Sequence, residues 1–194
     1  MITHPKRLNL GCGKNILPDW INLDRVALSG VDVIANLDDC QTTPLPFEDN
    51  SIDEFLASHL IEHLHNPLAF MEEIHRIAKP NAKAIFKVPY GSSDDAFEDP
   101  THVRQYFLNS FGFFSQPFYF KADYGYRGDW KPEKVSLLVD AKAHQGKTVE
   151  QIMFEVTTFR NIVREMITEL RAIKPIREPK RELIVQPKIE ITLI

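Results

Sequence analysis

Gly11-Cys12-Gly13 lies between two short apolar runs, Leu8 to Leu10 and Trp20 to Leu23, and Asp24 closes the second. Glycines let the backbone turn sharply off a strand and leave room for a ligand against bare peptide groups. A carboxylate one strand away can then accept both hydroxyls of a ribose, through charge-assisted hydrogen bonds worth about 1.5–3 kcal/mol each in a protected site. A dinucleotide asks for more, namely a third glycine and a helix whose N-terminus meets the pyrophosphate. Asn15 stands where further glycine is expected, and Pro18 interrupts any helix. Two histidine stretches add acid–base chemistry. His59-Leu60-Ile61-Glu62-His63 fits the H-x-x-E-H zinc pattern, in which two helical histidines face one metal and the acid activates water, with His65, His75, His102 or a loop acid as third ligand. In Asp99-Pro100-Thr101-His102-Val103-Arg104, a neutral His102 imidazole can take a proton from a hydroxyl or ammonium. Arg104 can hold an anionic or hydroxyl-rich substrate. The competing reading has His102 and Arg104 stitching the loop to Asp94, Asp95 or Asp99.

These groups need elements to hold them. Arg7–Asp24 reads as strand, glycine turn and second strand at one edge of a parallel sheet, and Val31–Leu37 is a near-continuous apolar run of buried-strand type. Phe55–Ala57 follows Asp53 as a strand, which puts Ser58 and His59 at its carboxyl end, where an open α/β sheet places its ligands. Leu60–Ala78 predicts a helix in two pieces, broken near Asn66-Pro67, and Ala84–Pro89 predicts the next strand. The order of strands and helices argues a doubly wound parallel sheet. Tyr90–Arg104 leaves the carboxyl end of that strand as a long polar segment, the kind that carries function in a compact domain. Tyr106–Phe120 is dense in aromatics, which either line a substrate pocket or fill the core. Val135–Val139 and Ile189–Ile194 predict two more strands, and Thr148–Ile173 carries apolar residues at helical spacing. Lys174–Lys188 reads as a solvated connector, since no aromatics interleave its charges as a nucleic-acid surface requires.

S-adenosylmethionine has no phosphate and carries a cationic sulfonium, so it can use the glycine turn and the acid without a following helix. On LNLGCG, NLD, the LPF segment before Asp53, SHLIEHL after the fourth strand and the Lys79-Pro80 turn before the fifth, the chain resembles the class I S-adenosylmethionine-dependent methyltransferases. The Pro100-Thr101-His102-Val103-Arg104 run looks like the PTHxR segment of a subset found near glycan or natural-product biosynthesis. The resemblance implies an α/β, Rossmann-like doubly wound sheet, mostly parallel with an antiparallel last strand. Residues 1–194 then form a single domain, with 141–188 as a helical insertion and connector between strands six and seven. It implies that the cofactor is held by Leu10, Gly11, Cys12, Gly13 and Asn15, by Asp24 and Arg25, by Asn36 and Leu37, and by Ser58 and His59. Asp38 competes with Asn36 for the adenine. His102 is then the candidate base, Arg104, Tyr106 and Tyr90 meet the substrate, and SHLIEHL needs no metal. The expected reaction is methyl transfer to oxygen or nitrogen of a small acceptor, with a sugar or glycan precursor among the candidates. A zinc hydrolase and a non-catalytic cofactor-binding partner are the rivals.

Composition limits the rest. With 194 residues and 43% hydrophobic content the chain suits one globular unit, and its net charge of −4 offers no general attraction to nucleic acid or anionic membrane. Cys12 and Cys40 cannot build a disulfide framework, MITHPKRLNL has no secretory apolar core, and no segment approaches about 18 apolar residues. A soluble, cytoplasmic protein is expected, with the 148–173 helix as a candidate dimer face.

Overall fold

The computed structural model describes residues 5–194; the first four residues, part of the segment read above for a secretory core, lie outside it. The strands are β1 (Arg7–Leu10), β2 (Ile21–Asp24), β3 (Val33–Ile34), β4 (Ile52–Ser58), β5 (Ala78–Pro89), β6 (Trp130–Val139), β7 (Val163–Ala172) and β8 (Lys188–Leu193). They make one eight-stranded sheet in the order β3-β2-β1-β4-β5-β7-β6-β8. Only β7 runs against its neighbours, β5 and β6, while β8 pairs parallel with β6. The order turns back where β1 lies between β2 and β4. In a doubly wound sheet that reversal opens a crevice at the strands' carboxyl ends.

The chain passes from β1 to β2 through residues 11–20 with no helix, whereas a parallel crossover ordinarily takes a dozen or more residues and a helix. Two buried amides make the short path workable. Asn9 and Asn22 face each other in register. Asn9 Nδ2 donates to Asn22 Oδ1 and to the Asn15 carbonyl, both at 2.9 Å. Asn22 Oδ1 also accepts the Leu17 N–H at 2.9 Å, and its Nδ2 donates to the Leu17 and Trp20 carbonyls at 3.1 Å. The loop's backbone groups are thereby satisfied by side chains rather than by helix.

The helix expected over 60–78 does form in two pieces, a 3-10 turn at Ile61–His63 and α1 (Pro67–Ile77). Asn66 caps α1 by accepting the Ala69 N–H, and Pro67 occupies a first-turn position where a missing N–H costs nothing. Phe70, Met71, Ile74 and Ile77 turn inward and are fully buried, and Trp130 donates from Nε1 to the Met71 carbonyl at 3.0 Å. A short α2 (Asp95–Glu98) lies in the polar segment after β5.

The helix expected over 148–173 is corrected. Only α3 (Val149–Thr158) is helical, with a capping box between Thr148 and Gln151. The chain then turns through Asn161, at φ 60°, and continues as β7. Val163, Met166 and Leu170 fit a helical stripe, but Thr168 and Ala172 are also fully buried and complete an alternating inward face. A buried threonine drops out of a count of apolar residues, which hides the period of two. The antiparallel strand expected at 189–194 is therefore β7, and 188–193 adds a parallel edge strand. The expected dimer face shrinks to α3, whose Val149 and Phe154 are exposed. The connector over 174–188 is not wholly solvated either: Arg177 donates from Nε and Nη2 to the fully buried Asp129 at 2.8 and 2.7 Å. The third strand, expected over 31–37, is confined to β3. No described helix is long and apolar enough to cross a membrane.

Candidate active site

A cavity of about 620 Å³ lies at the carboxyl ends of the parallel strands, lined by Gly11, Asp24, Arg25, Asn36, Leu37 and His59 among the residues expected from sequence. Gly11 has φ +61°, and a Cβ there would come within 2.7 Å of the Leu60 side chain, so only glycine fits both the turn and the approach. The Gly13 N–H donates to Asp24 Oδ2 at 2.8 Å, and the Val26 N–H to Oδ1 at 2.9 Å. Each Asp24 oxygen keeps a further lone pair for a ligand. Asn36 Oδ1 accepts the Asp38 N–H at 3.3 Å and its Nδ2 donates to Asp39 Oδ2 at 3.0 Å. Asp38, its rival, also lines the cavity and accepts the His65 N–H at 2.7 Å.

Leu10, Cys12, Gly13, Asn15 and Ser58 are not among the residues that line this cavity. Leu10 is fully buried, Cys12 donates its N–H to the Leu23 carbonyl at 3.0 Å, and burial pushes its thiol up. Asn15 is exposed, and its N–H donates to the Cys12 carbonyl at 2.8 Å. Ser58 is the last residue of β4, opposite Lys87.

His59 leaves β4 with φ 51°, a left-handed conformation costly for a side chain with a Cβ. Its Nε2 donates to Glu165 Oε1 on β7 at 2.9 Å, and its Nδ1 lies 3.5 Å from Glu62 Oε1. Its hydrogen bond to Glu165, then the nearby Glu62 carboxylate, pushes its pKa up to about 10, so the ring is cationic at neutral pH. The H-x-x-E-H reading therefore fails in its helical form: residues 61–63 are a 3-10 turn, and His59 is tied to a carboxylate instead of sharing a metal face with His63.

His102 does not reach the cavity wall. Its side chain is 7% exposed, its Nδ1 lies 3.2 Å from the Ala96 carbonyl, and Asp99 Oδ2 is 3.9 Å from Nε2. Its ring meets that of His63 edge-on, with centroids 4.7 Å apart, and His63 does line the cavity. His63 and Thr101 are wall residues not expected as cofactor or substrate contacts, although both sit inside the SHLIEHL and PTHVR runs that carry the resemblance. Glu62, His63 and His102 also offer one ligand atom each, all within 4.8 Å of one another.

Tyr90, Arg104 and Tyr106 are brought together at a second hollow of about 610 Å³, with Phe107 and Phe113 on its lining. Arg104 Nη2 donates to the carbonyl of His65, a cofactor-cavity residue, at 3.3 Å, so the guanidinium lies where the two hollows approach. Tyr106 Oη donates to the Ile61 carbonyl at 3.4 Å, and burial raises its phenol far above the ordinary value. The aromatic segment does both things weighed above: Phe111 and Phe114 are core, while Phe107 and Phe113 are exposed.

Residues 8–86 match a family model described as a methyltransferase domain. Among solved structures, the chain is similar to a SAM-dependent methyltransferase from Archaeoglobus fulgidus, at 14% identity over 86% of each chain with a TM-score of 0.61. It is similar to a chain of the Haloferax volcanii complex that holds the Trm112 methyltransferase activator, at 16% identity over 92% of this chain and 87% of that one, TM-score 0.56. A SAM-dependent methyltransferase from Aquifex aeolicus matches at 16% identity over 87% and 82%, TM-score 0.51. No curated protein matches the chain.

Proposed function

We propose that the chain, whose residues 8–86 match a methyltransferase domain model on a methyltransferase-like fold, is a class I S-adenosylmethionine-dependent methyltransferase that methylates an oxygen or nitrogen of a small acceptor, a sugar or glycan precursor being the favoured kind. The observation that carries this reading is the shared cavity: a glycine turn, a strand-end carboxylate and a strand-end amide open on the same space as His59, His63 and Thr101. Asp24, held at both oxygens by backbone N–H groups, accepts the ribose hydroxyls. Asn36 and Leu37 meet the adenine. His59 borders the methionine end, and the hollow behind Arg104, Tyr106 and Tyr90 receives the acceptor.

Held by Asp24, Asn36 and Leu37, S-adenosylmethionine would supply an electrophilic methyl group to the acceptor's lone pair. His102 is the proposed base, one ring behind His63 at the cavity wall. Base catalysis contributes roughly 10²–10⁴-fold, whereas holding acceptor and methyl in line lowers the barrier by about 7–11 kcal/mol. Positioning is therefore the larger part. Isothermal titration with S-adenosylhomocysteine tests the cofactor assignment: Asp24→Ala is expected to bind at least about tenfold more weakly, and unchanged affinity overturns it. His102→Ala is expected to slow turnover while keeping that affinity; a full-rate variant removes the base. Binding without turnover across an acceptor screen favours the non-catalytic partner instead.

A further inference from the structure

Glu62 is 2% exposed and both of its carboxylate oxygens are buried without a hydrogen-bond partner. His59 Nδ1 stands 3.5 Å from Oε1, an ionic approach that leaves neither oxygen with a hydrogen bond. A buried carboxylate in that condition is costly, and native structures rarely leave one so. Beside it, His63 and His102 bring ring nitrogens within 4.8 Å.

Their hydrogen bonds assign the tautomers. Thr101 Oγ1 donates to Asp99 Oδ1 at 2.6 Å, so it can only accept from His63 Nδ1, 2.9 Å away. A carbonyl cannot donate, so His102 Nδ1 carries the proton it shares with Ala96 at 3.2 Å. Both rings thus anchor an Nδ1–H on oxygen and leave Nε2 without a hydrogen bond. That is the arrangement in which metal-bound histidines are held, with the second nitrogen fixing ring orientation and raising the basicity of the first.

We propose that Glu62, His63 and His102 bind a divalent cation of the zinc type, at a site opening through His63 onto the cofactor cavity. Two imidazoles and one carboxylate with open positions suit zinc and its first-row neighbours rather than calcium or magnesium. Bonds of about 2.0–2.2 Å would place tetrahedral ligand atoms roughly 3.3–3.6 Å apart, so loading draws the group tighter than its present 4.8 Å span. Glu62 Oε1 keeps His59 as its neighbour, and the other oxygen is free for the ion. The assignment departs from the metal-free site expected from sequence, uses His102 in place of His59, and takes His102 out of the base role given to it above, since its Nε2 lone pair is then on the ion. Its chemical consequence rests on the methyl-transfer reading. A bound cation lowers the pKa of an acceptor hydroxyl; the proton passes to water, the alkoxide oxygen bonds to the methyl carbon, and the carbon–sulfur pair returns to sulfur. The site therefore selects an oxygen acceptor, because an amine would spend its lone pair on the metal.

The test is a titration of the chelator-stripped full chain with Co²⁺, read by visible d–d absorption, with S-adenosylhomocysteine affinity measured in parallel. One Co²⁺ per chain, displaced by Zn²⁺, is expected. Glu62→Gln and His102→Gln are each expected to weaken Co²⁺ by at least about 100-fold while sparing S-adenosylhomocysteine affinity. If Glu62→Gln fails to fold by circular dichroism, His102→Gln decides alone. A wild-type chain that binds S-adenosylhomocysteine but gives no Co²⁺ band, or equal Co²⁺ affinity in the folded variants, overturns the cation site and leaves the methyltransferase reading intact. Co²⁺ binding lost in the variants, in a chain that gives no heat with S-adenosylhomocysteine, supports the site and overturns the cofactor reading.

Discussion

The two ends of the sheet hold together by different means. At β3-β2-β1-β4 the strands are short, β3 having two residues, and their connections are pinned by polar side chains: Asn9, Asn22 and Asp24 each bind backbone groups of the turns above them. At β5-β7-β6-β8 the first three strands run to ten or twelve residues, and stability comes from long paired registers with alternate residues buried. One end presents shape and polar groups to a ligand; the other is a slab that supports it. They join where β4 pairs in parallel with β5, and Glu165 of β7 reaches across that seam to His59 at the end of β4. The comparison teaches that the ligand-facing end can lose affinity with modest loss of stability, and the slab the reverse.

The largest expected effect is in the slab. Asp129→Ala strips a fully buried carboxylate that accepts from Arg177 and from the Gln116 N–H, and should cost about 3–5 kcal/mol. Urea unfolding measures it, and S-adenosylhomocysteine affinity should not change. Asn22→Ala sharpens the contrast from the other end. It leaves the Asn9 amide and the Leu17 N–H short of partners, costs about 1–3 kcal/mol, and should weaken S-adenosylhomocysteine in calorimetry; equal affinity would detach the loop from the site. Thr148→Ala removes the capping box of α3 at about 1 kcal/mol, seen as a lower melting temperature with cofactor binding intact.

The smallest effect probes the joint. The His59 pKa is pushed up from 6.5 to about 10 in the folded chain, so its stabilising contribution is complete below pH 6.5 and is lost as pH rises through 10. The side chain is half exposed, which limits the pair to about 0.2–1 kcal/mol. Glu165→Gln should flatten the difference between urea midpoints at neutral and alkaline pH; a slope equal to the wild type's would show that the pair does not couple the two ends.

What could be read from the amino acids follows the same division. Gly11, Asp24, Asn36 and His59 announce themselves by type and by place at strand ends, and all four line the cavity. β7 does not, because Val163, Met166 and Leu170 satisfy a helix as well as a strand until Thr168 is known to point inward. Only pairing with β5 and β6 decides between them. Cys12 and Asn15 are legible as part of the turn, but the burial of one and the exposure of the other are not, since the direction of a side chain in an irregular loop depends on hydrogen bonds made across the chain. The convergence of Glu62, His63 and His102 needed the loop after β5 to fold back over the 3-10 turn, which the Val103 N–H does by donating to the Glu62 carbonyl at 2.9 Å.

The helix-free passage from β1 to β2 has one more implication. Because buried asparagine amides already lock that passage, the resting protein wears the contour that adenosine would meet, and little chain ordering remains for the moment of association. Entry should consequently show a modest heat-capacity change, and crystals grown without cofactor should tolerate soaking with the backbone of residues 11–20 unmoved.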